Sequence, residues 1–199
     1  MADFTETDKA LFLEARNRMD KNIELKNGQY FLKTNSSIEI GISNEVFEYF
    51  KGLMIGTNST LRTALKSSSV VLVQKDKSLI FLKKIDKPTH SANLLMITPD
   101  QQMPDPGGIN GFNSYWWGFE LKLSYAALGD IAAGTGFASV VAAAIPEPTT
   151  ATKVASIVLA GCSATAWVAQ NHYPNGVVIT ATWPGTPIIG CVTLDVKTQ

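Results

Sequence analysis

The chain has 199 residues, with 17 Lys and Arg against 17 Asp and Glu, so its formal net charge is zero. A hydrophobic fraction of 45% excludes a disordered chain, which combines low hydrophobicity with high net charge. The neutral balance excludes a nucleic-acid binder that works by bulk positive charge. Two cysteines are too few for a disulfide scaffold or a structural zinc site, and no metal or cofactor is expected.

The charge is spread unevenly. Residues 1–99 carry 14 basic and 11 acidic side chains, whereas residues 100–199 carry three Lys and six acids. Between Ser124 and Leu194 the only charges are Asp130, Glu147 and Lys153. The first half therefore reads as a water-facing globular segment, and the second as a buried core or a membrane-seeking one. The acidic start, Met1-Ala2-Asp3-Phe4, lacks the basic and then apolar profile of a secretory signal. Synthesis in the cytoplasm, with non-classical release, is the expectation. Asn35-Ser36-Ser37 and Asn58-Ser59-Thr60 match the glycosylation pattern, which is short and common.

In chain order, Phe12, Ala15, Met19 and Ile23 recur at helical spacing and predict a helix over 5–25, capped by Thr5 or Thr7 and stopped by Asn27-Gly28. Gln29 to Lys33 and Ile38 to Ile42 read as short strands around a polar turn. Ser43 is the expected N-cap of a second helix with Val46, Phe50, Leu53 and Met54 facing inward and Gly56 as its stop. Another short helix is expected over Ser59 to Lys66. Val70 to Val73 and Leu79 to Leu82 read as a hairpin, and Leu94 to Ile97 as a further strand.

Residues 99–111 hold three prolines and three glycines and read as a linker between an N-terminal part, 1–98, and a C-terminal module, 112–199. Tyr115 to Leu123 alternates as one strand, with Trp117, Phe119, Leu121 and Leu123 on one face and Trp116, Glu120 and Lys122 on the other. Ser124 is expected to cap a helix to Ile145, which Pro146-Glu147-Pro148 breaks. Thr149 or Thr150 is expected to cap a second helix to Gln170. Val177 to Trp183 and Ile188 to Val196 read as the last two strands. The expected fold class is α+β: helices and β-hairpins, then a β-α-α-β-β module around a Gly/Ala-rich helical hairpin at 125–170.

At about 20 residues each, those two helices have the length that crosses a hydrocarbon core of ~30 Å. Gly129-x-x-x-Ala133 and Ser156-x-x-x-Ala160-x-x-x-Ala164 place small residues on one stripe, which lets helix backbones approach. Leu128, Ile131, Phe137, Val140, Val141 and Ile145 together supply about −2 to −4 kcal/mol toward insertion, against about +3 kcal/mol for a central Asp. Asp130 lies near one end and costs less. Such a segment is poised between a soluble fold and a membrane. A buried central hairpin under a sheet has the same composition, and the two readings are compatible.

Trp116-Trp117-Gly118, a strand ending Leu123-Ser124, a Gly/Ala-rich helical pair and then Asn175-Gly176-Val177-Val178-Ile179 occur in that order. Residues 115–183 thereby resemble small bacteriocin-like bacterial proteins. The resemblance implies a membrane-directed or toxin-like module, with no catalytic residues to carry over.

The residues proposed to act in insertion are Asp130, Gly134, Gly136, Phe137, Ala160, Gly161 and Ala164. Tyr115, Trp116, Trp117 and Trp183 are candidates for an interfacial belt or a sugar-stacking platform, set against ordinary core packing. Trp116 is the ring expected to be exposed. His90 and His172 sit in polar surroundings, and no nucleophile elbow, phosphate loop or zinc motif is present, so no enzyme is expected. Cys162 and Cys191 read as small buried hydrophobes, paired only if their Cα atoms come within about 7 Å. Lys75, Lys77, Lys83, Lys84 and Lys87 read as a solvated edge that discourages strand pairing, or as a contact for anionic headgroups or a partner.

The function expected is a toxin-like, membrane-active or pore-forming protein. It would self-associate on a lipid bilayer, because two thin helices cannot line a pore alone. The alternative is a non-catalytic soluble binding or structural protein, with a protein or carbohydrate partner and the hairpin as its core. No nucleic acid partner is expected.

Overall fold

The computed structural model describes residues 6–84, 107–132, 136–162, 174–183 and 193–199. Among these residues the architecture is organised by one antiparallel sheet of six strands, in the order β3-β4-β5-β6-β7-β8. Helices pack on one face of that sheet, and a small two-stranded hairpin, β1–β2, stands beside it. The fold is α+β.

Helix α1 spans Glu6–Lys21. It ends before Ile23, which opens β1 (Ile23–Lys26), and β2 (Gln29–Leu32) follows. The expected helix to residue 25 is therefore too long. Asn27 and Gly28, read as a helix stop, instead take φ of 51° and 71° and close a two-residue hairpin. Both central positions of such a turn need positive φ, and Asn-Gly is the pair that adopts it most readily.

The expected strand at Ile38 to Ile42 is a helical turn, α2 (Ser37–Ile40), capped by Ser36 and ended by Gly41 at φ 76°. Four residues with Ile at two of them fit either period, so the cap decides. Helix α3 runs Asn44–Lys66 from an N-cap at Ser43, as expected, but it does not stop at Gly56. The two helices read over 44–66 are one. Phe47, Phe50, Leu53, Met54, Leu61 and Ala64 keep a single buried stripe through the glycine, and a continuous apolar face outweighs the ~1 kcal/mol helix penalty of one Gly.

Strands β3 (Val70–Lys75) and β4 (Ser78–Lys83) form the expected hairpin. β4 then pairs with β5 (Gly111–Tyr115), so strands from both sides of the 99–111 segment share one sheet. The expected single strand Tyr115 to Leu123 is itself folded. β5 turns at Trp116-Trp117 into β6 (Gly118–Leu123), and Tyr115 pairs with Gly118. Neither tryptophan has a positive φ, so the usual hairpin signal is missing there.

Ser124 caps the next helix, its Oγ accepting from Ala127 N. That helix is not continuous to Ile145. α4 covers Tyr125–Ala132 and α5 covers Phe137–Ala144, with Gly136 at φ 81° starting the second. α6 covers Pro148–Cys162. Its cap is the Glu147 carboxylate, which accepts from the Thr149 and Thr150 N–H groups, rather than a threonine hydroxyl. β7 (Val177–Thr182) returns beside β6, and β8 (Thr193–Thr198) closes the sheet. The expected strand at Leu94 to Ile97, the end of α6 to Gln170, and the first residues of the strand read at 188–196 lie outside the described residues.

Phe112, Phe119, Leu121, Leu123, Ile179 and Trp183 fill the helix-covered face of the sheet. They meet the inward side of α5 and α6, namely Val140, Val141, Val154 and Val158.

Candidate functional site

Two features carry the chemistry singled out in the sequence: the Trp116-Trp117 turn and the helical segment α4–α6.

The turn is held by the N-terminal half of the chain. Trp116 is 1% exposed. Its indole Nε1 donates to Asp20 Oδ1 at 3.0 Å, its ring meets Phe50 edge-on at 5.4 Å, and its carbonyl accepts from Thr57 Oγ1 at 2.9 Å. The ring expected to be exposed is thus buried. Alternation placed it on the solvent side of a strand, but it sits at a turn tip over which α1 and α3 close.

Trp117 is buried too. Tyr115 stacks on its ring at 5.2 Å and 14°, and the Arg16 guanidinium lies over the ring 4.7 Å from its centroid. Arg16 and Asp20 stand four residues apart on α1, so one helix face clasps both tryptophans. Burial lowers the Arg16 pKa from its ordinary value, while Asp20 and Glu120 work against that shift. Tyr115 donates to Glu120 Oε2 at 3.0 Å, and burial pushes its own pKa up. Trp116 and Trp117 are buried, so neither offers an open face for stacking a sugar, whereas Tyr115 is half-buried. Trp183 is fully buried against Phe112 and Phe119, and the Lys153 ammonium lies 5.0 Å from its centroid.

A second clasp works through Tyr30. Its backbone N–H and C=O pair with the side-chain amide of Asn58, each at 2.8 Å, and its phenol reaches the carbonyls of Lys77 and Ser114 at 3.0 Å. Asn58 is buried and both its amide atoms are used, so this glycosylation-like motif is a structural bracket between β2 and α3.

In α4–α6 the inward face is apolar and the outward face is almost without charge. Phe137, Val140, Val141, Ala151, Val154 and Val158 are buried. Ala138, Ser139, Ala142 and Ala143 of α5, and Thr152, Ser156 and Leu159 of α6, are exposed. α5 and α6 pack against each other. Solvent faces of soluble helices ordinarily carry Lys and Glu. Here the charges are Asp130, exposed on α4; Glu147, buried as the α6 cap; and Lys153. Lys153 donates to Thr60 Oγ1 of α3 at 2.9 Å, and burial lowers its pKa.

Gly136 is exposed at the start of α5. Ala160 and Gly161 lie in the last turn of α6, whereas Gly134 and Ala164 lie outside the described residues. Of the small-residue stripe, Ser156 is exposed. The first expected helix is split into two of eight residues each, α4 and α5. Eight residues span roughly 12 Å, against a hydrocarbon core of ~30 Å. Among the described residues no helix is long and apolar enough to cross a membrane. No cluster of His, Cys, Asp and Glu able to hold a metal occurs among them. His90, His172 and Cys191 lie outside the described residues.

Glu147 gives this segment a pH dependence. Desolvation pushes its carboxyl up, but the hydrogen bonds from Thr150 and Thr149 outweigh that and leave its pKa below the ordinary 4.5. Its contribution to stability is complete above the unfolded value and drains away as the pH falls through the folded one. Glu147→Ala is expected to cost about 1 kcal/mol at neutral pH through loss of the cap. The deficit should shrink in acid, where the wild-type carboxyl is protonated and loses the charged part of the cap; urea midpoints across the pH range measure it.

Comparison with family models, with curated proteins and with solved structures returned no match.

Proposed function

We propose that this protein is a non-enzymatic, toxin-like protein that acts at a lipid bilayer through α4–α6. The observation that carries the reading is the outward face of α5 and α6, where Ala, Ser, Thr and Leu stand in place of the expected charges. Water gains little from such a face, and a headgroup–acyl boundary costs it little. Because the described helices fall short of a span, the first step is adsorption of the uncharged face. Insertion of 125–170 requires the segment to leave the sheet and its inner apolar side to meet lipid. Self-association follows insertion.

The test is flotation and dye release with anionic and neutral liposomes from acid to neutral pH. Ala142→Glu adds a charge at an exposed position and is expected to abolish flotation without moving the unfolding midpoint. Asp130→Leu is expected to increase it. Absence of flotation under all conditions overturns the reading.

A second reading, a soluble binding or structural protein with this segment as its core, is favoured by the full burial of Val141 and Val154 beneath the sheet. It expects Ala142→Glu to leave lipid behaviour unchanged.

A further inference from the structure

Among the described residues the β3 edge of the six-stranded sheet is left open, and its chemistry is specific. In the β3–β4 ladder Lys84 N–H donates to Ser69 O at 2.8 Å. Bonded pairs alternate along an antiparallel ladder, so Ser69, Val71, Val73 and Lys75 bond to β4. Val70, Leu72 and Gln74 therefore turn their N–H and C=O groups away from the sheet. β3 is the terminal strand, and among the described residues nothing pairs with that row.

Two further observations bear on what could. The sheet face opposite the helices carries, at this end, the cross-strand pairs Val71–Leu82 and Val73–Ile80. Val71 is 45% exposed and the other three are half-buried. The edge is also bracketed by lysines. Lys75 stands at one end, and Lys66, Lys83 and Lys84 stand at the other; all are exposed and none forms an ion pair among the described residues. Lys77, by contrast, is bridged to Asp20 at 3.1 Å.

We infer that the β3 edge is the docking site of an extended segment of a protein partner, apolar in the middle and acidic at both ends, which adds a seventh strand to the sheet. Main-chain groups of Val70, Leu72 and Gln74 supply the pairing, the aliphatic quartet receives alternate side chains, and the lysines select the flanks. The charges argue against a second copy of this chain. An antiparallel β3–β3 pair centred on Leu72 sets Lys75 opposite Ser69 of the other copy, beside its Lys84, and repeats that like-charge clash at the far end. Backbone donors and acceptors argue against lipid tails, which cannot satisfy them. This inference does not rest on the membrane reading.

Fluorescence anisotropy with the full chain tests it. The probe is a fluorescein-labelled peptide with a core of alternating valine and threonine and glutamates at both ends. It is expected to bind, and a peptide with lysines at both ends is expected not to. Methylating the core amides that face the edge should weaken binding about tenfold or more. On the protein, Gln74→Pro removes one outward N–H at an edge position where proline is tolerated, and a similar loss is expected. Lys75→Glu with Lys84→Glu changes only exposed side chains and should reverse the preference between the two probes. The inference is overturned if the acidic probe does not bind, or if amide methylation and charge reversal both leave binding unchanged. It is also overturned if the charge reversal acts only on adsorption to anionic vesicles.

Discussion

Trp116→Ala is expected to destabilise the protein by about 3–5 kcal/mol, the range for truncating a large buried aromatic. The ring is 1% exposed, edge-on to Phe50, and its Nε1 bonds Asp20. Removing it leaves a cavity between α1, α3 and the β5–β6 turn. It also leaves Asp20 with Lys77 as its remaining partner at the carboxylate. Against a typical total stability of 5–15 kcal/mol, the urea midpoint should fall by a large fraction. A tryptophan serving as a surface platform for ligand or membrane would be nearly silent in the same experiment, so an unchanged midpoint would remove the turn from the core. Asp20→Asn keeps an acceptor for the indole and should cost much less than Asp20→Ala.

Gly118→Val is expected to cost at least as much, roughly 3–5 kcal/mol, or to prevent folding. A Cβ at Gly118 would sit 2.1 Å from the Ala181 carbonyl oxygen and 2.9 Å from the Thr182 Cα. Both obstacles are backbone of β7, which has a paired strand on each side and is buried along its whole length. It has nowhere to move. Gly111→Ala is the control. It lies in the adjacent strand, its added Cβ meets nothing within 4 Å, and its φ is not positive. Its midpoint should stay close to wild type. If Gly118→Val behaves the same way, β6 and β7 are not packed as described.

The third residue of Trp116-Trp117-Gly118 is thus explained by close strand approach, and the first two by the clasp from α1. Neither cause was legible locally. The pairing of Tyr115 with Gly118 puts even positions of β5 and odd positions of β6 on one face, and the aromatic run Tyr115-Trp116-Trp117 hides that change of phase in the sequence. The Arg16 and Asp20 that cover the tryptophans lie about a hundred residues earlier in the chain, and nothing in their local pattern points to a distant partner. The same holds for Asn58, whose surroundings read as a glycosylation site but whose amide brackets Tyr30. Glu147 was seen only as part of a proline break; its role as cap follows from Pro148 taking the first position of α6, which leaves the preceding side chain to meet the free N–H groups.

Sequence alone determined what depends on neighbours a few residues apart. It specified the Ser43 and Ser124 caps, the β3–β4 hairpin, the inward stripe of α3, the α+β class and the charge-poor stretch after Ser124. Tertiary structure decided everything that turns on which surfaces meet. It decided that one α3 runs through Gly56, that Trp116 is buried, that Ser156 is exposed, and that β3 is an edge among the described residues. The physical reason is one of range. Periods, caps and turns are set by local sterics and hydrogen bonds, whereas burial and strand order are set by long-range contacts whose two halves carry no mark of each other in the chain.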